Sequence, residues 1–112
     1  MSGKRVDKRR HDRLQHSIQV DFSDGRLFLN GEIKDISLGG IQIECMKGLD
    51  RGTEITVALP LGSALKLKGI VRWCRKEGVK SFLGIQFLDV TPEQESAIRE
   101  VIQALFWKTA KA

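Results

Sequence analysis

Apolar and polar residues alternate along most of the chain. Ile18, Val20 and Phe22 take every second position, the period of a half-buried strand, and Ser23-Asp24-Gly25 then supplies turn formers. Leu27, Leu29 and Ile33 predict a second strand to about Lys34. Asp35-Ile36-Ser37-Leu38-Gly39-Gly40 breaks the pattern, and Ile41, Ile43 and Cys45 predict a third strand. A loop over Lys47 to Gly52 leads to Ile55, Val57 and Leu59, a fourth strand ended by Pro60-Leu61-Gly62-Ser63. Leu65, Leu67, Val71 and Trp73 predict a long fifth strand, with Gly69 marking a bulge or a sharp bend. Lys76-Glu77-Gly78 turns the chain into a sixth strand, on which Leu83, Ile85 and Phe87 alternate.

The period then changes. Thr91 is a capping residue, Pro92 suits the first helical position and Gln94 completes a capping box. Ile98, Val101, Ile102, Leu105 and Phe106 follow at helical spacing and make one apolar stripe. Such a helix packs on a barrel mouth or wall. Its alternative use is pairing with a second copy or a partner, and Trp107 at the edge of the stripe keeps that alternative open. The expected fold is therefore all-β dominated, an antiparallel barrel or sandwich with one C-terminal α-helix, and of the two the six-stranded antiparallel β-barrel is the one expected. Closure also removes the exposed strand edges of a small domain.

The 112 residues suit one domain, and 41% hydrophobic residues suffice for a core. Charge divides the chain into two parts. Residues 1–13 hold Lys4, Arg5, Lys8, Arg9, Arg10 and Arg13 against Asp7 and Asp12, whereas the other 99 residues hold 13 basic and 12 acidic side chains. Residues 1–13 have no apolar period and read as a flexible basic arm on a nearly neutral body, 14–112, which points to an anionic partner. No signal-peptide-like run and no stretch of 18 apolar residues occurs, so a cytoplasmic chain with no membrane partner is expected. Cys45 and Cys74 are then reduced, and each is expected as a small buried apolar side chain.

Catalysis finds no support. His11 and His16 lie in or beside the arm without a patterned nucleophile or carboxylate partner, and no zinc spacing or phosphate-cradling loop is present. No metal and no cofactor are expected. Two features do carry chemistry. Arg9-Arg10-His11-Asp12-Arg13 offers permanently charged, planar forks that grip phosphate oxygens in pairs and stack on purine faces. Asp35, Ser37 and Gly40 occupy a turn between strands. There a carboxylate accepts from guanine N1–H and N2–H, a hydroxyl reaches phosphate or base, and glycine admits close backbone approach. Alone, the same residues describe an Asx-type turn that merely ends a strand. Nucleic acid would suit the basic run as well, but the chain has no Tyr, and its five Phe and two Trp fall mostly at apparent core positions.

Together, RxxxR at Arg9 to Arg13 and DxSxxG at Asp35 to Gly40 resemble the signature of the PilZ domain family. Gly69-Ile70-Val71-Arg72-Trp73 and Leu83-Gly84-Ile85-Gln86-Phe87 look like that family's later strands, and the resemblance spans about residues 8 to 108. It implies a bacterial, non-enzymatic receptor for the second messenger cyclic di-GMP, with Arg9, Arg10, Arg13, Asp35, Ser37 and Gly40 as ligand-binding residues. It also implies an arm that orders on binding and a signal relayed to an unidentified downstream protein. Family members take the nucleotide as a monomer or as an intercalated dimer. Others have lost the motifs and serve as scaffolds, unlike this chain, which keeps every motif position.

Overall fold

The alternating apolar positions become the inside of a closed barrel. A computed structural model describes residues 18–59 and 65–111, with side chains as far as residue 104. The described residues form β1 (Ile18–Ser23), β2 (Phe28–Ile36), β3 (Gly40–Cys45), β4 (Glu54–Leu59), β5 (Leu65–Glu77), β6 (Lys80–Leu88) and α1 (Pro92–Lys111). All neighbours pair antiparallel, and the order β1-β2-β3-β6-β5-β4 closes on itself. The expected barrel and helix are thus observed.

Val20, Phe22, Ile33, Ile43, Val57, Leu67, Val71 and Leu83 point inward and form one core with Ile98 and Val101 of α1. Full burial of each such side chain stabilises the fold by roughly 1.5–3 kcal/mol. The capping box is present: Gln94 N–H donates to Thr91 Oγ1 (3.1 Å) and Thr91 N–H to Gln94 Oε1 (2.9 Å). Gln94 Nε2 also donates to the Lys66 carbonyl (2.9 Å), so the cap fastens α1 to β5. Leu105, Phe106 and Trp107, and with them the pairing alternative, lie outside the described side chains.

Four expectations need correction. β2 runs on to Ile36, so Asp35 belongs to a strand rather than to the turn after it. Gly69 pairs in unbroken register with Phe87, and the bulge falls at Arg72, between Val71 and Trp73. The space above Gly69 is filled instead, since a Cβ there would meet Ile85 Cγ2 at 2.6 Å. Cys45 is buried, which pushes its thiol pKa up, but Cys74 is exposed because β5 runs on past Ile70, its last residue paired with β4, with β6 alone beside it. Among the aromatics with described side chains, Phe22 and Phe87 are core, whereas Phe28 is 92% and Trp73 40% exposed.

Glu44 on β3 ties three strands from outside. It accepts from Lys80 of β6 at 2.9 Å and pairs with Lys34 of β2 at 3.5 Å. The hydrogen bond from Lys80, aided by the charge of Lys34, holds the Glu44 carboxyl below its usual range. A lowered pKa in the folded state contributes stability at neutral pH that is lost as pH falls through the folded value. Glu44→Gln is expected to lower neutral-pH stability by about 0.5–1 kcal/mol and to flatten the acid limb of a melting-temperature profile.

Candidate functional site

Strand pairing alone explains why the motif residues face one place. In β2, Gly31 and Ile33 point inward, and strict alternation would send Asp35 inward too. The extra residue at Lys34 breaks that phase: Ile33 pairs with Ile43, but Asp35 pairs with Gln42, whose side chain lies outside. β5 does the same. Leu67, Gly69 and Val71 face in, then the bulge at Arg72 sets Trp73 opposite Gly84 on the outer face. Gln42 pairs with Gly84 in turn. Asp35, Gln42, Gly84 and Trp73 therefore form one row across β2, β3, β6 and β5.

That row floors an open cleft of about 260 Å³, lined also by Ser37, Gly40, Arg72 and Gln86. Asp35 Oδ1 accepts from the Ile36 N–H at 2.9 Å. Ser37 Oγ accepts from the Gly39 N–H at 3.3 Å, and Ser37 N–H donates to the Gly40 carbonyl at 2.9 Å. Ser37 thus forms the turn while Asp35 lies at the end of β2 beside it, and these bonds fix the two side chains at the lip of the cleft. Arg72 Nε donates to Gln86 Oε1 at 2.6 Å, which holds a guanidinium on the opposite wall. The site thus offers a carboxylate, a hydroxyl, a guanidinium and an aromatic face to one bound molecule. No group of three metal-ligating side chains is found among the described residues.

The structure brings Asp35, Ser37 and Gly40 together, while Arg9, Arg10 and Arg13 lie outside the described residues. Sequence reasoning missed Gln42, Arg72, Trp73, Gly84 and Gln86. By its spacing from Leu67 and Val71, Trp73 reads as core. The available signal was the loss of alternation beyond Val71, where Arg72, Arg75 and Lys76 flank Trp73 in the sequence. Trp73 lies flat on Gly84, where a Cβ would overlap the indole, and the Arg75 guanidinium sits 5.7 Å from the ring centroid. Gly84→Ala is expected to lift the ring into water and cost roughly 1–3 kcal/mol. In a Trp107→Phe background, which leaves Trp73 the only tryptophan, the emission should shift to longer wavelength. An unchanged spectrum would show that the ring does not rest there.

The sequence model of the PilZ domain family matches residues 7–104. The chain belongs to the PilZ domain family. No curated protein matches it in sequence. Among solved structures, this PilZ domain is similar to the PilZ domain with c-di-GMP of YcgR from Escherichia coli: TM-score 0.72, 16% identity, covering 85% of this chain and 86% of that one. It is also similar to the Bacillus subtilis inhibitor of motility MotI/DgrA: TM-score 0.64, 16% identity, covering 82% and 48%. A third is K. pneumonia MrkH in its apo state: TM-score 0.63, 14% identity, covering 84% and 49%. The chain spans about half the length of the latter two. At these identities the likeness is one of fold. Among the described residues, no helix is long and apolar enough to cross a membrane.

Proposed function

We propose that this PilZ domain is a cytoplasmic receptor for cyclic di-GMP, and that residues 1–13 close over the bound nucleotide and pass the change to a partner protein. The observation that carries the reading is the outward row Asp35–Gln42–Gly84–Trp73, with Ser37 and Arg72 beside it. Asp35 accepts from a guanine edge, Trp73 offers a face to a base, and Arg72 and Ser37 stand within the same cleft for phosphate. The E. coli relative whose structure is described with c-di-GMP supports the same ligand. At about 260 Å³ the cleft falls below the ~300–1,000 Å³ of pockets that enclose a drug-sized ligand. Arg9, Arg10 and Arg13 supply the missing wall in this reading, in a disorder-to-order step that makes a new surface. Binding and the change of surface are the whole of its activity; no bond is made or broken.

Calorimetric titration tests the reading. Saturable binding with a Kd near or below ~1 μM, about −8 kcal/mol, is expected. No heat and no saturation at a hundredfold higher ligand overturns it, and competition by single-stranded oligonucleotide at equal potency favours a nucleic-acid ligand instead. Asp35→Ala separates base recognition from phosphate grip. Loss of its charge-assisted bonds should weaken binding roughly 10- to 150-fold and narrow the preference for guanine over adenine cyclic dinucleotides. The salt dependence of affinity should stay close to wild type, because the arginines remain. Unchanged selectivity would reduce Asp35 to an acceptor for the backbone at the end of β2.

A further inference from the structure

Five large hydrophobic side chains are exposed among the described residues, and four of them lie on one end of the barrel: Leu27, Phe28, Met46 and Val79. Register places them together. Phe28 opens β2, Met46 follows Cys45, and Cys45 pairs with both Gly31 of β2 and Ser81 of β6. Val79 lies in the turn between Glu77 and Lys80, at the near end of β6. Asp35 and Gly40 sit at the far ends of β2 and β3, so this rim is opposite the DxSxxG motif. Phe28, Met46 and Val79 are 92%, 71% and 75% exposed, so the fold itself makes almost no use of them. Scattered apolar residues are normal on a surface, but four at the tips of three neighbouring connections are not scattered.

The same connections concentrate positive charge. Residues 24–28, 46–51 and 75–80 carry Arg26, Lys47, Arg51, Arg75, Lys76 and Lys80 against Asp24, Asp50 and Glu77. Beyond these segments, residues 14–112 hold seven cations and nine carboxylates, so the body is slightly acidic everywhere else. Arg75 pairs with Glu77 and Lys80 with Glu44, while Arg26, Lys47 and Lys76 make no ion pair among the described residues.

We infer that this rim docks on an anionic lipid surface, with Phe28, Met46 and Val79 entering the headgroup layer and Lys47, Lys76 and Arg26 meeting lipid phosphates. The rim sets Lys47 and Lys76 on the same connections as these apolar side chains, whereas the buried centre of a protein interface is depleted of lysine. Lysine stems bury beside apolar neighbours while their ammonium groups reach the headgroups. The inference departs from the expectation of no membrane partner, which rested on the lack of a spanning segment; the rim could not be read from sequence order, because its three segments are joined only by strand pairing. The inference is independent of the nucleotide.

The test is co-sedimentation of the full chain with vesicles of phosphatidylcholine alone and of phosphatidylcholine with one third phosphatidylglycerol. Binding is expected only to the anionic vesicles and should weaken as salt rises. Phe28→Ser should weaken it about tenfold, and Lys47→Gln and Lys76→Gln about fivefold each. Ligand-free melting temperatures should not change, and should Phe28→Ser disturb the fold, the two lysine variants carry the test. Equal binding to both vesicles, or none, overturns the inference. So does binding that survives all three rim variants and is lost in Arg9→Ala/Arg10→Ala/Arg13→Ala, which would assign the attraction to residues 1–13.

Discussion

Gly40→Ala is expected to destabilise the domain by about 3 kcal/mol, at the upper end of the cost of overpacking a close-packed contact. The reason lies in the barrel wall. Gly40 opens β3 opposite Gln86, and a Cβ on it would overlap the carbonyl oxygen of Ile85 in β6. That oxygen belongs to a central strand whose neighbours on both sides fix it, so it cannot swing away as a flexible side chain does. A loss of that size should lower the melting temperature by roughly 10 °C or more in a domain of this length. Gly39 is the control: a Cβ there meets nothing within 4 Å. Gly39→Ala should melt at or slightly above the wild-type temperature, since alanine reduces the freedom of the unfolded chain. Equal melting of the two variants would show that Gly40 is not held against β6. The glycine that ends the DxSxxG motif thus has a structural reason to be there, besides any approach to a ligand.

Arg9→Ala and Arg13→Ala are expected to weaken cyclic di-GMP binding roughly 10- to 150-fold each, the loss of a charge-assisted bond worth about 1.5–3 kcal/mol. Each variant should also flatten the dependence of log affinity on log salt, because one fewer charge meets phosphate. Melting without ligand should hardly change, since these residues precede β1 and its core side chains. Titration at several salt concentrations, beside a ligand-free melt, checks both statements. An arginine variant that lowers ligand-free stability as strongly as Gly40→Ala would make that arginine a structural residue, and the closing-arm mechanism would fail with it.

Much of this molecule is legible in the order of its residues. Period-two alternation at Val20 and Phe22, Ile41 and Ile43, Ile55 and Val57, and Leu83 and Ile85 determines four of the six strands, because only one face of each can be buried. Thr91, Pro92 and Gln94 determine where the helix begins, since a cap is satisfied by residues three positions apart. Asp35, Ser37 and Gly40 were identifiable as site candidates because turn chemistry and ligand chemistry use the same short polar side chains.

The direction in which the site faces was decided only by tertiary structure. Lys34 and Arg72 each enter a strand as one residue too many, and such an insertion is defined by the partner strand, not by the strand that contains it. Each one inverts the phase beyond it, turning Asp35 and Trp73 from the barrel interior to its outer face. Closure of the barrel then brings them into one row through Gln42 and Gly84, residues 42 and 84 being neighbours only across the β3–β6 ladder. Local periodicity records which positions a regular strand would bury; where pairing breaks that regularity, the answer lies in hydrogen bonds between residues far apart in the chain.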